Sequence, residues 1–300
     1  MAPVSADQPR PVPWDGHGLP PQAQLRMERA ARSKVAGSLL SAPEAAALAA
    51  VGFSPVGEVM GCIVQHAGWA GYGCGYAYGW NASRTVSSGS ATSWAGLTPY
   101  VKAVYEGWHT ALRRLVQEAT ALGADGVVGI RLSETHLGGS NREFLALGTA
   151  VRTDAATATR PFTTDLSGSD VSKLLHAGWV PTGIAIGIAA GVRHDDYGVR
   201  NQTSTWGNTQ VDGYTDLVNT VRHDARDQFE RRAREHGGET VMVSSMKLRV
   251  WENEPSDNHR DHYAEALFIG TTATSFHRGA VAPTRSLSIL PLDRTRETAS

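Results

Sequence analysis

The sequence predicts an α+β protein: a tandem duplication of a small β-α-β-β unit, each copy carrying a three-stranded antiparallel sheet. Three observations lead there. The stretch from Thr98 to Arg152 reads as one helix followed by two strands. Its landmarks recur later in the chain at near-constant spacing. In both places a strand interrupted by glycine precedes the helix.

Residues 1–37 predict a flexible arm and a short helix. Prolines crowd residues 1–20 and oppose regular structure. Gln22 to Gly37 then spaces Leu25, Met27, Ala30, Ala31 and Val35 among charged residues as a helix would. Those charges read as a solvated face, with docking to an acidic partner as the other reading.

The first unit is predicted over residues 38–154. Ser41 to Val51 reads as a short helix with Pro43 and Glu44 in its first turn, leading through Gly52 into a strand from Val56 to Val64. Gly61 breaks that strand, as a bulge or a close backbone approach would require. Thr98 and Pro99 mark the start of the long helix, because a hydroxyl can accept an orphan amide and proline needs no partner for its nitrogen. Val101, Val104, Tyr105, Trp108, Leu112, Leu115, Val116, Ala119 and Leu122 follow at three-and-four spacing, and Gly123 ends the helix. Asp125 to Leu132 is then a strand rich in branched side chains, Gly138 to Asn141 a turn, and Phe144 to Val151 a second strand.

The second unit is predicted over residues 160–277. Gly52-Phe53-Ser54-Pro55-Val56-Gly57 aligns with Gly178-Trp179-Val180-Pro181-Thr182-Gly183, and Gly61 with Gly187. His109, Ala111, Ala119, Gly123 and Val127 align with His223, Ala225, Ala233, Gly237 and Val241. The elements expected are a helix from Ser169 to Ala177, a strand from Thr182 to Ala189, a helix from Tyr214 to His236, and strands from Val241 to Trp251 and Ala264 to Ala273. Glu252 to His262 reads as a polar hairpin loop, and residues 278–300 as a disordered tail.

Ala121-Leu122-Gly123-Ala124-Asp125-Gly126-Val127-Val128-Gly129-Ile130, with Gly148-Thr149-Ala150-Val151, closely resembles the YbjQ-like family, whose members carry a heavy-metal-binding label. Pro55 to Gly61 resembles that family's first strand. Gly237-Gly238-Glu239-Thr240-Val241-Met242-Val243 departs from the pattern in the second unit. The resemblance implies a YbjQ- or dodecin-like architecture and ring-shaped homo-oligomers, pentameric in the family. It implies no established reaction.

Composition limits the function classes. Basic and acidic side chains number 28 and 29, so nothing pulls the chain as a whole toward nucleic acid or an anionic membrane. The apolar run Ile184 to Ala190 falls far short of the ~20 residues that span a bilayer. Two cysteines cannot build a disulfide framework, and the first residues lack a signal peptide's apolar core. A cytoplasmic location is expected. No phosphate cradle, dinucleotide fingerprint, nucleophile elbow or carboxylate pair occurs, and no partner group recurs beside both His109 and His223, so no enzyme is expected.

Candidate sites remain. His259, Asp261 and His262, and likewise His194 and Asp195, offer nitrogen and oxygen donors that bind zinc, copper or nickel when three or four converge. Cys62, Cys74 and His66 offer softer ligands at a spacing that matches no compact zinc knuckle. Trp69, Tyr72, Tyr76, Tyr78, Trp80 and Trp94 crowd the glycine-rich stretch 65–97, where they either form an interface or stack on a ligand, or cover their own hairpin. A three-stranded sheet with one helix leaves a face and edges open, which favours a homo-oligomeric structural or binding module. The alternative is a metal-binding protein.

Overall fold

A computed structural model describes residues 14, 18–33, 37–68, 85–90, 97–154, 160–256 and 259–276. In chain order the elements are α1 (Pro21–Ser33), α2 (Ala42–Ala50), β1 (Phe53–His66), β2 (Val86–Ser87), α3 (Leu97–Ala121), β3 (Gly126–His136), β4 (Asn141–Thr153), β5 (Phe162–Thr163), α4 (Gly168–His176), β6 (Trp179–His194), α5 (Tyr197–Thr203), α6 (Asp212–Glu235), β7 (Thr240–Ser256) and β8 (His259–Ser275). The fold is α+β. Most of the expected N-terminal arm, residues 69–84 and 91–96, and the tail from 277 lie outside the described residues. Trp69, Tyr72, Cys74, Tyr76, Tyr78, Trp80 and Trp94 are among those not described.

Two sheets form, in the orders β1-β4-β3-β5 and β2-β6-β8-β7. The three long strands of each are antiparallel, as expected. The expectation of three strands omitted a two-residue fourth strand in each sheet. β5 pairs in parallel with β3, and β2 pairs antiparallel with β6. Each short strand comes from the other half of the chain, a cross-tie that has no signature in a two-residue sequence.

The layers follow from which face of each strand is apolar. One face of the second sheet, with Ala185, Ala189 and Ala264, packs on Leu217, Val221, Ala225 and Phe229 of α6. Its other face, with Ile184, Ile188 and Leu267, joins a single core cluster with Val104, Trp108 and Leu115 of α3 and with Val59, Ile130 and Phe144 of the first sheet. α3 therefore lies between the two sheets. The first sheet's far face is covered at one end, where Leu48 of α2 and Val171 of α4 meet Val128 and Val151.

Local chemistry sets the element ends. Ser41 donates its amide to the Glu44 carboxylate at 2.7 Å, and the Ser167 hydroxyl accepts the Asp170 amide at 3.2 Å; both are N-terminal caps. Gly123 follows α3 at φ 66° and Gly237 follows α6 at φ 70°, the left-handed conformation that stops a helix cheaply only at glycine. Gly61 and Gly187 serve a different need. A Cβ on Gly61 would sit 1.9 Å from the Ala111 carbonyl, and one on Gly187 2.2 Å from that of Ala225, so both permit the close helix approach that the sequence suggested.

β1 is an edge strand, and outward polar groups near its middle are occupied. The Met60 amide donates to Glu118 at 2.8 Å, the Met60 carbonyl lies 3.5 Å from Arg26, and Arg114 donates to the Cys62 carbonyl. Arg26 of α1 also pairs with Glu118, whose side chain is 1% exposed. These contacts fasten α1 to β1 and blunt that edge against pairing.

One expectation is corrected. Residues 252–256 and 259–262, expected in a loop, are strand: β7 and β8 stay paired through Glu252↔His262 and Asn253↔Asp261, because backbone pairing tolerates polar side chains. After His194 the chain enters α5, capped by Asp196, whose carboxylate accepts the Val199 amide at 2.9 Å. Among the described residues no helix is long and apolar enough to cross a membrane.

Gly61→Ala is expected to cost about 1–3 kcal/mol in urea unfolding by overpacking. Gly207→Ala, where an added Cβ meets nothing within 4 Å, is the control and should stay within about 0.5 kcal/mol of the parent. A second measurement concerns Glu118. Burial raises its pKa above the ordinary glutamate value, opposed by the Met60 amide and Arg26. An acid with a raised folded pKa binds its proton more tightly when folded, so this contribution to stability is present at low pH and lost as pH rises above the usual ~4.3. Urea midpoints across that window should show Glu118→Gln without this downward slope.

Candidate functional site

Two polar clusters are built where strand ends meet helices. The first lies at the end of β6 and β8. The register His194↔Asp261 and Arg193↔His262 places the two histidines on opposite faces of the sheet, since side chains alternate along a strand. His194 Nδ1 lies 2.7 Å from Asp261 Oδ1, both side chains buried. On the α6 face, His262 Nε2 lies 3.2 Å from Asp195 and 2.7 Å from the Tyr214 hydroxyl. Tyr214 also donates toward Asp195 at 3.2 Å. Burial, then the Asp195 charge, raises the Tyr214 pKa, so its phenol stays protonated.

His194, Asp195, Asp261 and His262 are thus neighbours, but as two imidazole–carboxylate pairs facing opposite ways. His259 opens β8, and its side chain lies outside the described residues. Among the described residues no group of three or more His, Cys, Asp or Glu side chains converges on a metal position. An imidazole engaged by a carboxylate on one nitrogen resembles half of a metal site, and the alternation of the strand keeps the halves apart. The equivalence of His109 and His223 brings no common chemistry either. His109 stacks on Tyr105 at 6.0 Å, whereas the exposed His223 lies 3.4 Å from Asp227.

The second cluster was not singled out in the sequence. At the seam between the sheets Tyr100 donates to Glu265 and accepts from Arg142 and, at 2.6 Å, from Arg249. Arg142 also reaches Glu134 at 2.9 Å, and Arg249 reaches His136 Nε2 at 2.8 Å. A guanidinium can only donate, so that His136 nitrogen is the acceptor. Two carboxylates and two guanidiniums balance in a seam where Arg142 is 4% and Glu265 7% exposed. Burial, then Glu265, raises the Tyr100 pKa and keeps it a donor. A cavity of about 430 Å³ opens beside this network, lined by Glu134, His136 and Arg249 among others. The available signal was Arg142 and Glu265, each two residues from an inward apolar side chain, Phe144 and Leu267.

The network holds the sheets in one relative position, because a buried ion left without its partner is costly. Glu265→Ala is expected to lose about 3–5 kcal/mol in urea unfolding, against about 1 kcal/mol for Tyr214→Phe, which removes a neutral hydroxyl.

The comparisons with known proteins bear on the first half most directly. The family described as "Putative heavy-metal-binding" matches residues 77–154. A Mycobacterium tuberculosis protein named "Encapsulin nanocompartment protein" is 35% identical over 177 residues, which is 56% of this chain and 60% of that protein. The match therefore spans less than two thirds of that relative. A UPF0145 protein of Halorubrum lacusprofundi is 37% identical over 73 residues, 24% of this chain and 70% of its own length. One from Methanococcus vannielii is 44% identical over 52 residues, half of its length. With 70% of the Halorubrum protein matched at 37% identity, the chain belongs to the YbjQ-like (UPF0145) family.

Proposed function

We propose that the chain is a non-enzymatic structural or binding module, two YbjQ-like units in tandem over residues 38–154 and 160–277, that assembles with copies of itself. The duplication is supported by paired details. Both first strands carry a bulge, between Pro55 and Gly57 and between Pro181 and Gly183, and both are entered through a glycine at φ 82°, Gly52 and Gly178.

Assembly is carried by one observation: the unequal treatment of the two long sheet edges. β1 is capped by Glu118, Arg26 and Arg114. β7 ends the other sheet, and among the described residues no strand pairs with its outer side. Val243, Met246 and Val250 project from β7 on the α6 side, 56%, 49% and 61% exposed, because α6 lies over β6 and β8 and stops short of β7. An unpaired strand beside an apolar stripe is a template for another chain. A near-zero net charge offers no general repulsion between copies. The relative named for an encapsulin nanocompartment supports an assembled state. Pairing of β7 with its own symmetry mate would stop at a dimer, whereas a ring, such as the pentamer implied by the family resemblance, needs β7 to meet a different surface of the next copy.

Native mass spectrometry of protein purified without added metal tests this. The expected spectrum is a closed oligomer at the mass of protein alone. Met246→Lys with Val250→Lys, both solvent-facing in the single chain, should give a folded monomer by circular dichroism. A monomeric parent protein would refute the reading. A monomer carrying one metal ion per chain would favour instead the zinc, copper or nickel reading, with His194, Asp195, Asp261 and His262 as its first mutational targets.

A further inference from the structure

α3 does not fill the wedge between itself and the first residues of β6. A cleft of about 840 Å³ remains there, bounded by α3, the segment 160–163, β6 and the last residues of α6. Its walls are apolar: Leu112 and Val116 from α3 face Ile184 and Ile186 from β6. Its mouth is cationic. The guanidiniums of Arg113 and Arg160 stand around it beside the imidazoles of His109 and His236, and Glu235 is the one lining carboxylate among the described residues. Arg232 adds a further guanidinium, lying 3.3 Å from the centroid of the Tyr105 ring that forms part of the wall.

The arginines are the informative part. Arg142, Arg193 and Arg249 are engaged in ion pairs. Arg113 and Arg160 are exposed and have no hydrogen-bond or ion-pair partner among the described residues. Burial, with the Arg160 charge next, lowers the His236 pKa and favours its neutral form, so the positive charge at the mouth is carried by the arginines. Guanidiniums gathered at a rim that holds a single carboxylate among the described residues, Glu235, raise the local potential for an anion, and low-dielectric walls concentrate it. A volume of this size suits a small molecule, and apolar walls with few polar groups at one end orient an amphipathic one.

From the apolar walls and the unpaired guanidiniums at the mouth, we infer that the cleft binds an apolar-bodied carboxylate, its chain between Leu112, Val116, Ile184 and Ile186 and its carboxylate held by Arg113 and Arg160. The site lies within one chain and does not depend on the assembly proposed above. Charge complementarity selects this occupant. A neutral apolar molecule would leave the arginines unused, and a small inorganic anion would leave the walls wet.

Isothermal titration calorimetry of the full chain with decanoate, below its micelle concentration, tests the inference. Saturable binding at one site per chain is expected, with 1-decanol at least about tenfold weaker, as the loss of one charge-assisted contact predicts. Arg113→Ala with Arg160→Ala, both at exposed positions, should weaken decanoate by a similar factor while circular dichroism and the unfolding midpoint stay unchanged. Glu235→Gln should tighten it, an effect that unfolding cannot imitate. Absence of decanoate binding, equal affinity for 1-decanol, or unchanged affinity in the double arginine variant would each overturn the proposal. The subunit count measured by native mass spectrometry moves none of these outcomes.

Discussion

A single helix, α3, is shared by two sheets, and most of the architecture depends on that sharing. A helix covering one sheet needs an apolar stripe of limited width. α3 carries more. Trp108, Ala111 and Leu115 turn toward the first sheet, where Trp108 meets Phe144 edge-on at 5.0 Å and Ala111 lies over Gly61. Leu112 and Val116 turn toward β6. α6, by contrast, buries one face against its sheet and leaves Arg226, Glu230 and Arg231 to solvent or to each other. The apolar girth of α3 makes one core of two sheets.

The seam network and the exchanged short strands fix what the shared core leaves adjustable. Apolar packing tolerates sliding better than ion pairs do, and Arg142 and Glu265 come from different sheets yet share the Tyr100 hydroxyl. Thr164, just after β5, places its hydroxyl 2.8 Å from that of Thr271 in β8. These contacts bring the two sheets into register.

Much of the fold was legible in the sequence because its signals are local. The periodicity of α3 and α6, the glycines that end them and those that break β1 and β6 act within a few residues, and each of these four elements lies within about five residues of where the pattern placed it. The polar ends of β7 and β8 were misread as a loop, since Glu252, Asn253 and Asp261 carry no strand propensity and extend only because the ladder before them continues. Of the candidate site, the donors were visible as two separate clusters, His194 with Asp195 and His259 with Asp261 and His262. Their pairing across the strands was not.

What the sequence determined by itself was the long helices and strands, their order and the family to which the first half belongs, because helix periodicity, strand alternation and glycine placement are properties of neighbouring residues. What only the tertiary structure decided was the relation between distant ones: β2 joining the second sheet, β5 joining the first, histidines directed to opposite faces, and arginines gathered at the mouth of a cleft. Those outcomes depend on how two sheets are turned against one helix. Residues such as Arg113 and Arg160, 47 positions apart in the chain, come to line one cleft only once that packing is set.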